Sequence, residues 1–569
     1  MSVENFLSEP AEPIPVGEPN AVRQTAAGSP EGAKHQRQRS QPKSNSPADA
    51  TSDGVFVDGM VGNDTEINRE ICSGGAKAST AASSLYAGKS ERAGAEVGAA
   101  GSSVDLWDTT THEERSGSAC IQATKRSEGS GDGSAQAGIG TPSKIRKLQI
   151  ALYRKAKAEP KWRFYSLYGE IYREEILLEA VRKVRANKGA AGVDGMTPAE
   201  IEQTPGGTLQ WVRALGEELR AKKYEASPVK RVWIPKADGK RRPLGIPTVK
   251  DRVVQTALWL VLMPIYEADF HPNSFGYRPK RCAQQAMEVI KKELWKGKAE
   301  MVDADLSAYF DNIPHRALMR QLVKRIADGS VLRLIKQWLK APVIERGEDG
   351  KRRVYGSRRG TPQGGVISPL LANLYLNDLD HGVNEGTAQK ATLVRYADDL
   401  VILCAPGQSA TMRARLERWL GRRGLSLNEA KTRELNANEE SFVFLGWQVT
   451  PRRSKGGKRY YHMEPSPQSR GKLMDQIRRV LNHATQWRAS TEVIAEINSV
   501  MRGWSGYFRY GHGRAVLGQM HDLISARLRT WLWKKSRCSH AKYGYYTRKR
   551  LREQYGLYAM NQATTGRAV

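Results

Sequence analysis

The sequence predicts an α+β protein: a body of mixed strands and helices, a helical bundle after it, and a disordered extension before it. Three observations point there. Short strand-like runs alternate with helical periods between residues 141 and 450, three apolar faces at helical spacing follow residue 451, and the first 140 residues show no sustained apolar period. A chain of 569 residues is long enough for several such units.

Residues 1–140 carry 12 Lys plus Arg against 19 Asp plus Glu, in stretches such as GSGDGSAQAGIG. Such a segment cannot bury enough apolar surface to offset the entropy of ordering it, so it reads as disordered. The whole chain nevertheless has a formal net charge of +30, of which residues 451–569 hold +18 and residues 141–450 hold +19. A polyanion, most simply nucleic acid, should therefore meet the middle and C-terminal regions. A basic face could also serve an anionic membrane, yet no run approaches the roughly 18 to 20 apolar residues of a spanning helix, so no membrane partner is expected. The opening MSVENFLSEP lacks a basic segment followed by an apolar one, which points to the cytoplasm. Cys72, Cys120, Cys282, Cys404 and Cys538 stand far apart without a CxxC pair, against both a disulfide framework and structural zinc.

The elements follow in order. IYREEILLEAVRKVRAN (171–187) places Ile176, Leu177, Ala180 and Val184 on one helical face, and NKGAAGVDG ends it. VKRVWIPK (229–236) alternates as a strand, with Asp238-Gly239 as a hairpin turn from which the flanking cations project. AEMVDADLSAYF (299–310) gives a further strand, and Ser368-Pro369 opens a helix, with serine as N-cap and proline first inside. TLVRYADDLVILCA (392–405) reads as a hairpin whose two-residue turn is Asp398-Asp399. Toward the C-terminus, Leu473, Ile477, Val480 and Leu481 form one apolar face, Ile494, Ile497, Met501, Trp504 and Phe508 a second, and Val516, Met520, Leu523, Leu528 and Trp531 a third.

The carboxylates carry the chemistry. An isolated Asp pair in a turn is ordinarily solvated. Here the flanking strands read as buried on both faces, which puts Asp398 and Asp399 at the edge of a core, where like charges repel unless a cation sits among them. Asp303 and Asp305 alternate onto one face of their strand. A lone DxD is more often a cap or an ion pair. Taken together, three carboxylates from two strands suit two Mg²⁺ ions roughly 3.5 to 4 Å apart, the arrangement for in-line displacement at phosphorus.

YADD after a strand, DADLSAYFDNI upstream and GTPQGGVISPLLANLYL between them resemble a reverse transcriptase of the group II intron type. ANKGAAGVDG, VWIPKADGKRRPLGIPTVKDRVVQ, SFGYRPKRCA, GLSLNEAKT, FVFLGW and INSVMRGWSGYFRYG match further blocks in the family's order, covering residues 145 to 535. QGGxxSP fits the intron type, whereas diversity-generating relatives carry SQ in place of SP.

The resemblance implies a right-hand polymerase. Residues 141–225 would be a helical extension of the fingers, 226–450 fingers and palm, 451–535 a thumb/maturase bundle, and 536–569 a short basic tail able to touch DNA. It implies that Asp305, Asp398 and Asp399 are the catalytic metal-binding triad. Asp305 is preferred to Asp303 because the family's aromatic gate lies five residues after its metal aspartate, which gives Phe310; that ring is either a gate favouring dNTP or an ordinary core aromatic. Lys236 and Arg242 match fingers cations that clasp the triphosphate, and Gln363, before two glycines, is a further dNTP contact.

Arg502, Arg509, Arg527, Lys534 and Lys535 stand around the apolar faces and suit phosphate contacts. The implied partners are an RNA template with a DNA primer, dNTPs, the chain's own group II intron RNA and a DNA target site. The implied function is RNA-directed DNA polymerisation with assistance to splicing, in retrohoming. Cys538 has no later cysteine to pair with, so the Cys-paired HNH endonuclease of many relatives is not expected. An RNA-binding splicing cofactor with a vestigial polymerase site, or a reverse transcriptase recruited to a defence system, are the alternatives.

Overall fold

The computed structural model describes residues 142–560 except 236–238, 240, 348, 350, 387–389 and 537–540. The disordered extension expected over residues 1–140, the triphosphate contact Lys236, the turn residue Asp238 and Cys538 lie outside the described residues.

The described strands, in chain order, are β1 (Val229–Pro235), β2 (Arg241–Ile246), β3 (Glu300–Asp305), β4 (Val343–Arg346), β5 (Arg352–Tyr355), β6 (Thr392–Tyr396), β7 (Asp399–Cys404), β8 (Arg433–Asn436), β9 (Phe442–Phe444), β10 (Trp447–Arg453) and β11 (Arg459–Pro465). They form three sheets, ordered β2-β1-β4-β5, β6-β7-β3-β8 and β11-β10-β9.

Ahead of the first sheet stand helices Ser143–Ala158, Glu174–Ala186 and Gly207–Arg220. The second has the four predicted apolar residues buried, as its spacing requires. The first two pack on Val249–Glu267, a mostly apolar helix buried along nearly its whole length, and the third packs on the second. Its N-terminus is closed by Thr248, whose hydroxyl accepts the Asp251 amide at 3.2 Å.

The four-stranded sheet β6-β7-β3-β8 is buried on both sides, and its pleat divides the molecule's apolar residues into two cores. Val302, Ala304, Leu393, Leu400 and Ile402 face one, with the N-terminal helices and helix Ser368–Asn384. Met301, Val394, Val401 and Leu403 face the other, with helix Ala283–Trp295, the β9-β10-β11 sheet and the C-terminal helices. Asp303 and Asp305, of the same parity as Met301, fall on that second side. Glu300, at the start of β3, accepts from the amides of Gly407, Gln408 and Ser409 at 2.7 to 3.2 Å and so anchors helix Ser409–Arg422 to the sheet.

The three C-terminal apolar faces form helices Pro467–Val480, Ser490–Tyr507 and Arg514–Ser536. Trp504 and Phe508 are wholly buried there, whereas Leu523, assigned to the third face, is 53% exposed.

Two sequence expectations are corrected. Ser368 is the first residue of its helix, not its N-cap; Ile367 occupies the cap, with Pro369 inside the first turn as expected. The two-residue turn of the hairpin is Ala397-Asp398, because Tyr396 pairs with Asp399 and Asp399 already begins β7.

Candidate active site

The shifted turn decides where the carboxylates lie. β3 and β7 run antiparallel with Asp305 directly opposite Asp399, so these two residues end their strands side by side, and Asp398 precedes Asp399 in the adjoining turn. Directly facing residues of an antiparallel pair hold their Cβ atoms about 4.5 to 5.5 Å apart. Asp398 is buried, while Asp399 and Asp305 are half-buried.

The turn is held from beneath by a fully buried arginine. Arg395 on β6 is 0% exposed, and all five of its N–H groups are engaged. Nε and Nη2 donate to the two carboxylate oxygens of Asp380 at 2.8 and 2.5 Å, Nη2 also to Ser274 Oγ at 2.8 Å, and Nη1 to Asn373 Oδ1 and the Ala397 carbonyl, both at 2.9 Å. Ala397 adopts φ +61, a left-handed conformation that needs such support in a residue with a Cβ. The chain also comes close from the side: a Cβ on Gly276 would lie 2.4 Å from the Ala397 nitrogen, so only glycine fits there.

Asp305 is oriented from the third direction. The Asn428 amide donates to its carbonyl at 2.8 Å, and Asn428 Nδ2 to its Oδ2 at 3.0 Å, while Lys431 Nζ stands 3.6 Å from the same oxygen. Asp303 faces the same way but ion-pairs with Arg433 of β8 at 3.1 Å. Burial pushes its carboxyl above the usual range against that pairing.

Phe310 is the second residue of the short helix Tyr309–Asn312, 8% exposed, with its ring edge-on to Tyr277 at 6.5 Å. It belongs to the first core, where Tyr277 packs against it and lies within the field of the acids. Burial, then the charge of Asp398 and more weakly that of Asp399, push the Tyr277 hydroxyl far up, keeping it a neutral donor. Arg242 on β2 donates Nε to Gln363 Oε1 at 2.7 Å, and Gln363 Nε2 donates to Asp311 Oδ2 at 2.7 Å. This relay ties the β-ribbon to the segment after Phe310. Beside it lies a cavity of about 390 Å³ whose wall includes Arg231, Arg358 and Arg359 as well as Gln363 and Asp311.

Gly364 packs on β2 so closely that a Cβ would sit 1.6 Å from the Gly245 carbonyl oxygen. Gly364→Ala must therefore move one backbone off the other and pull Gln363 out of the relay. We expect kcat/KM for nucleotide incorporation to fall about a hundredfold, as a displacement near 1 Å can do, with a cooperative melt retained. Unchanged kinetics would contradict that packing.

The oxygen-only donor set suits a hard cation such as Mg²⁺. Among the described residues no three His, Cys, Asp or Glu side chains are arranged to hold a metal as they stand, Asp305 Oδ2 being turned to Asn428 and Lys431. The strand register nonetheless brings the carboxylates to one edge, from which side-chain rotation alone could close a cage.

The proposed nucleic-acid cations divide. Arg502, Arg509, Arg527 and Lys534 are exposed, and Arg502 lies over the Tyr558 ring at 5.7 Å. Lys535 is half-buried and donates to the Gln486 and Arg488 carbonyls at 2.5 and 2.9 Å.

Sequence reasoning missed Tyr277, Gly276, Asn428 and the structural use of Arg395. All four sit inside quoted blocks, SFGYRPKRCA, GLSLNEAKT and RYADD, which was their one signal.

Residues 234–449 match the family "Reverse transcriptase (RNA-dependent DNA polymerase)", and residues 471–552 match "Group II intron, maturase-specific domain". The chain is 35% identical over 354 residues to Protein YkfC of Escherichia coli, covering 55% of this chain and 90% of that protein. It is 36% identical over 219 residues to the group II intron-encoded protein LtrA of Lactococcus lactis, covering 38% of this chain and 35% of LtrA. A third relative, nuclear intron maturase 2 of Arabidopsis thaliana, is 31% identical over 166 residues, 23% of this chain and 22% of that one. The match thus spans most of YkfC but about a third or less of the two named intron proteins.

Proposed function

Because the chain belongs to the group II intron-encoded reverse transcriptase and maturase family, we propose that it copies RNA into DNA at the Asp305, Asp398 and Asp399 edge and that its C-terminal helices bind intron RNA and assist splicing. The observation that carries the catalytic half is the register of β3 against β7, which sets Asp305 opposite Asp399 within the matched region. The three aspartates would hold two Mg²⁺ ions, whose chemistry is to acidify a primer 3′-hydroxyl and neutralise the leaving pyrophosphate.

The chain's own residues do the positioning. Arg395 fixes the backbone of the turn that carries Asp398 and Asp399, and Asn428 holds the Asp305 carboxylate at the sheet edge. Arg242, bonded through Nε to Gln363, offers its remaining N–H groups to a triphosphate, and Gln363 offers its amide once a substrate replaces Asp311 as its partner. Lys236 would be a second cation for the triphosphate. The Phe310 ring, packed edge-on against Tyr277, would contact the sugar of an incoming dNTP.

Template RNA with a DNA primer, intron RNA and a DNA target are the proposed partners. The exposed cations Arg502, Arg509, Arg527 and Lys534 support an electrostatic grip on RNA. No described helix is long and apolar enough to cross a membrane; we assign the protein to the cytoplasm, where its intron would be transcribed.

The full chain with a primed RNA template, dNTPs and Mg²⁺ should extend the primer to the template end. Absence of extension would reject the polymerase reading. Binding to structured RNA should weaken by about 10³ to 10⁵ between 50 and 200 mM salt, the range for six to ten phosphate contacts, and should survive deletion of residues 1–140. A titration showing affinity independent of salt would contradict the phosphate grip.

A further inference from the structure

Helix Arg514–Ser536 and the short helix Arg548–Glu553 enclose a cavity of about 450 Å³, within the size range of small-ligand pockets. Ser525 on its wall is 1% exposed, and its Oγ has no hydrogen-bond partner among the described residues. One turn earlier, His521 Nδ1 is buried and equally without a partner there. Buried polar atoms of this kind are ordinarily satisfied, and two of them on one cavity wall point to a group that enters it. Burial pushes the His521 imidazole below its ordinary value, so the ring is neutral, with one nitrogen donating and one accepting.

The rest of the wall indicates the chemistry. Arg548, Lys549, Arg552 and Glu553 are its exposed lining, Arg548 3.0 Å from Asp522, and Leu557, buried, supplies an apolar surface. A bare phosphate would meet the Asp522 carboxylate as well as the arginines. A nucleobase suits the mixture better: its ring face needs the apolar wall, its amino groups need an acceptor such as a carboxylate, and its strand carries a phosphate to the mouth.

We infer that this cavity takes one unpaired base of a bound RNA strand, with the adjoining phosphate held by Arg548 and Arg552. The inference deepens the proposed RNA-binding role, on which it rests. RNA is favoured over DNA because the cavity lies within residues 471–552, the maturase-specific match, apart from part of its floor.

The test uses the full chain and a fluorescein-labelled unstructured RNA 12-mer, intact and with single abasic positions, titrated by anisotropy. For wild type, one abasic position should weaken binding about tenfold, roughly 1.4 kcal/mol. Ser525→Leu, which fills the cavity, should bind intact and abasic RNA alike, as weakly as wild type binds the abasic one. A fully paired RNA duplex should bind both proteins equally. Arg552→Ala, at an exposed position, should reduce the abasic effect without touching the core, and so carries the test if the leucine variant fails to fold. Equal abasic losses in wild type and both variants, or equal loss on duplex, would overturn the pocket. A larger coupling with the matching DNA 12-mer would overturn the RNA assignment. Coupling seen in a chain that does not extend primers would leave the pocket standing and remove the polymerase reading alone.

Discussion

Replacing Asp398 and Asp399 together by alanine should reduce primer extension on RNA by about a thousandfold or more and leave the melting temperature of the full chain unchanged or raised. The two halves of this expectation have separate causes. Catalysis fails because the turn end of the sheet loses two of the three carboxylates that would hold the cations, and Asp305 alone cannot hold the pair of ions that would neutralise a leaving pyrophosphate. Stability does not fall because adjacent like charges beside a buried tyrosine hydroxyl repel, and removing them relieves that cost. Extension assays with circular dichroism on the same samples check both parts. A variant that still extends, or one that loses activity only because it melts, would count against the account.

The second large effect concerns Arg395. Arg395→Met should cost about 3 to 5 kcal/mol, since it strands the Asp380 carboxylate, itself 1% exposed, without its partner. It should also stop extension, because the Ala397 carbonyl loses the donor that stabilises its left-handed turn. Lysine is not a conservative exchange here: three donors on one point charge cannot serve the four residues that Arg395 reaches. Combining Arg395→Met with Asp380→Asn should recover part of the stability by removing the buried charge, yet recover little extension, because the turn remains unsupported. Thermal melts and extension rates on the four proteins of this cycle separate the stabilising role from the positioning one. Recovery of both together would show that Arg395 does no more than neutralise Asp380.

Much of this was legible in the sequence, and the reasons are local. Alternation along AEMVDADLSAYF put Asp303 and Asp305 on one face, TLVRYADDLVILCA read as a hairpin of buried strands, and all three strands form. Helical spacing gave the three C-terminal helices and the helix containing Ile176 and Val184. The turn was misplaced by one residue because Asp is a favoured turn residue and Ala is not. What puts Ala397 into the turn is Arg395 below it and Gly276 beside it, and Gly276 is more than a hundred positions away in the chain. Ser368 looked like a cap for a similarly local reason, and the helix begins one residue earlier, with Ile367 at the cap. Lys535 looked like a surface cation until the loop at 486–488 folded its carbonyls around the ammonium. Asn428 could not be anticipated from spacing, since its contact with Asp305 joins segments 123 residues apart.

The most direct test compares Asp305→Asn with Asp303→Asn in primer extension at saturating Mg²⁺. The two residues share a strand and a face, but only Asp305 pairs with Asp399, whereas Asp303 is spent on Arg433. The account predicts that Asp305→Asn abolishes extension and that Asp303→Asn keeps most of it. The reverse result, with Asp305→Asn active and Asp303→Asn dead, would contradict it.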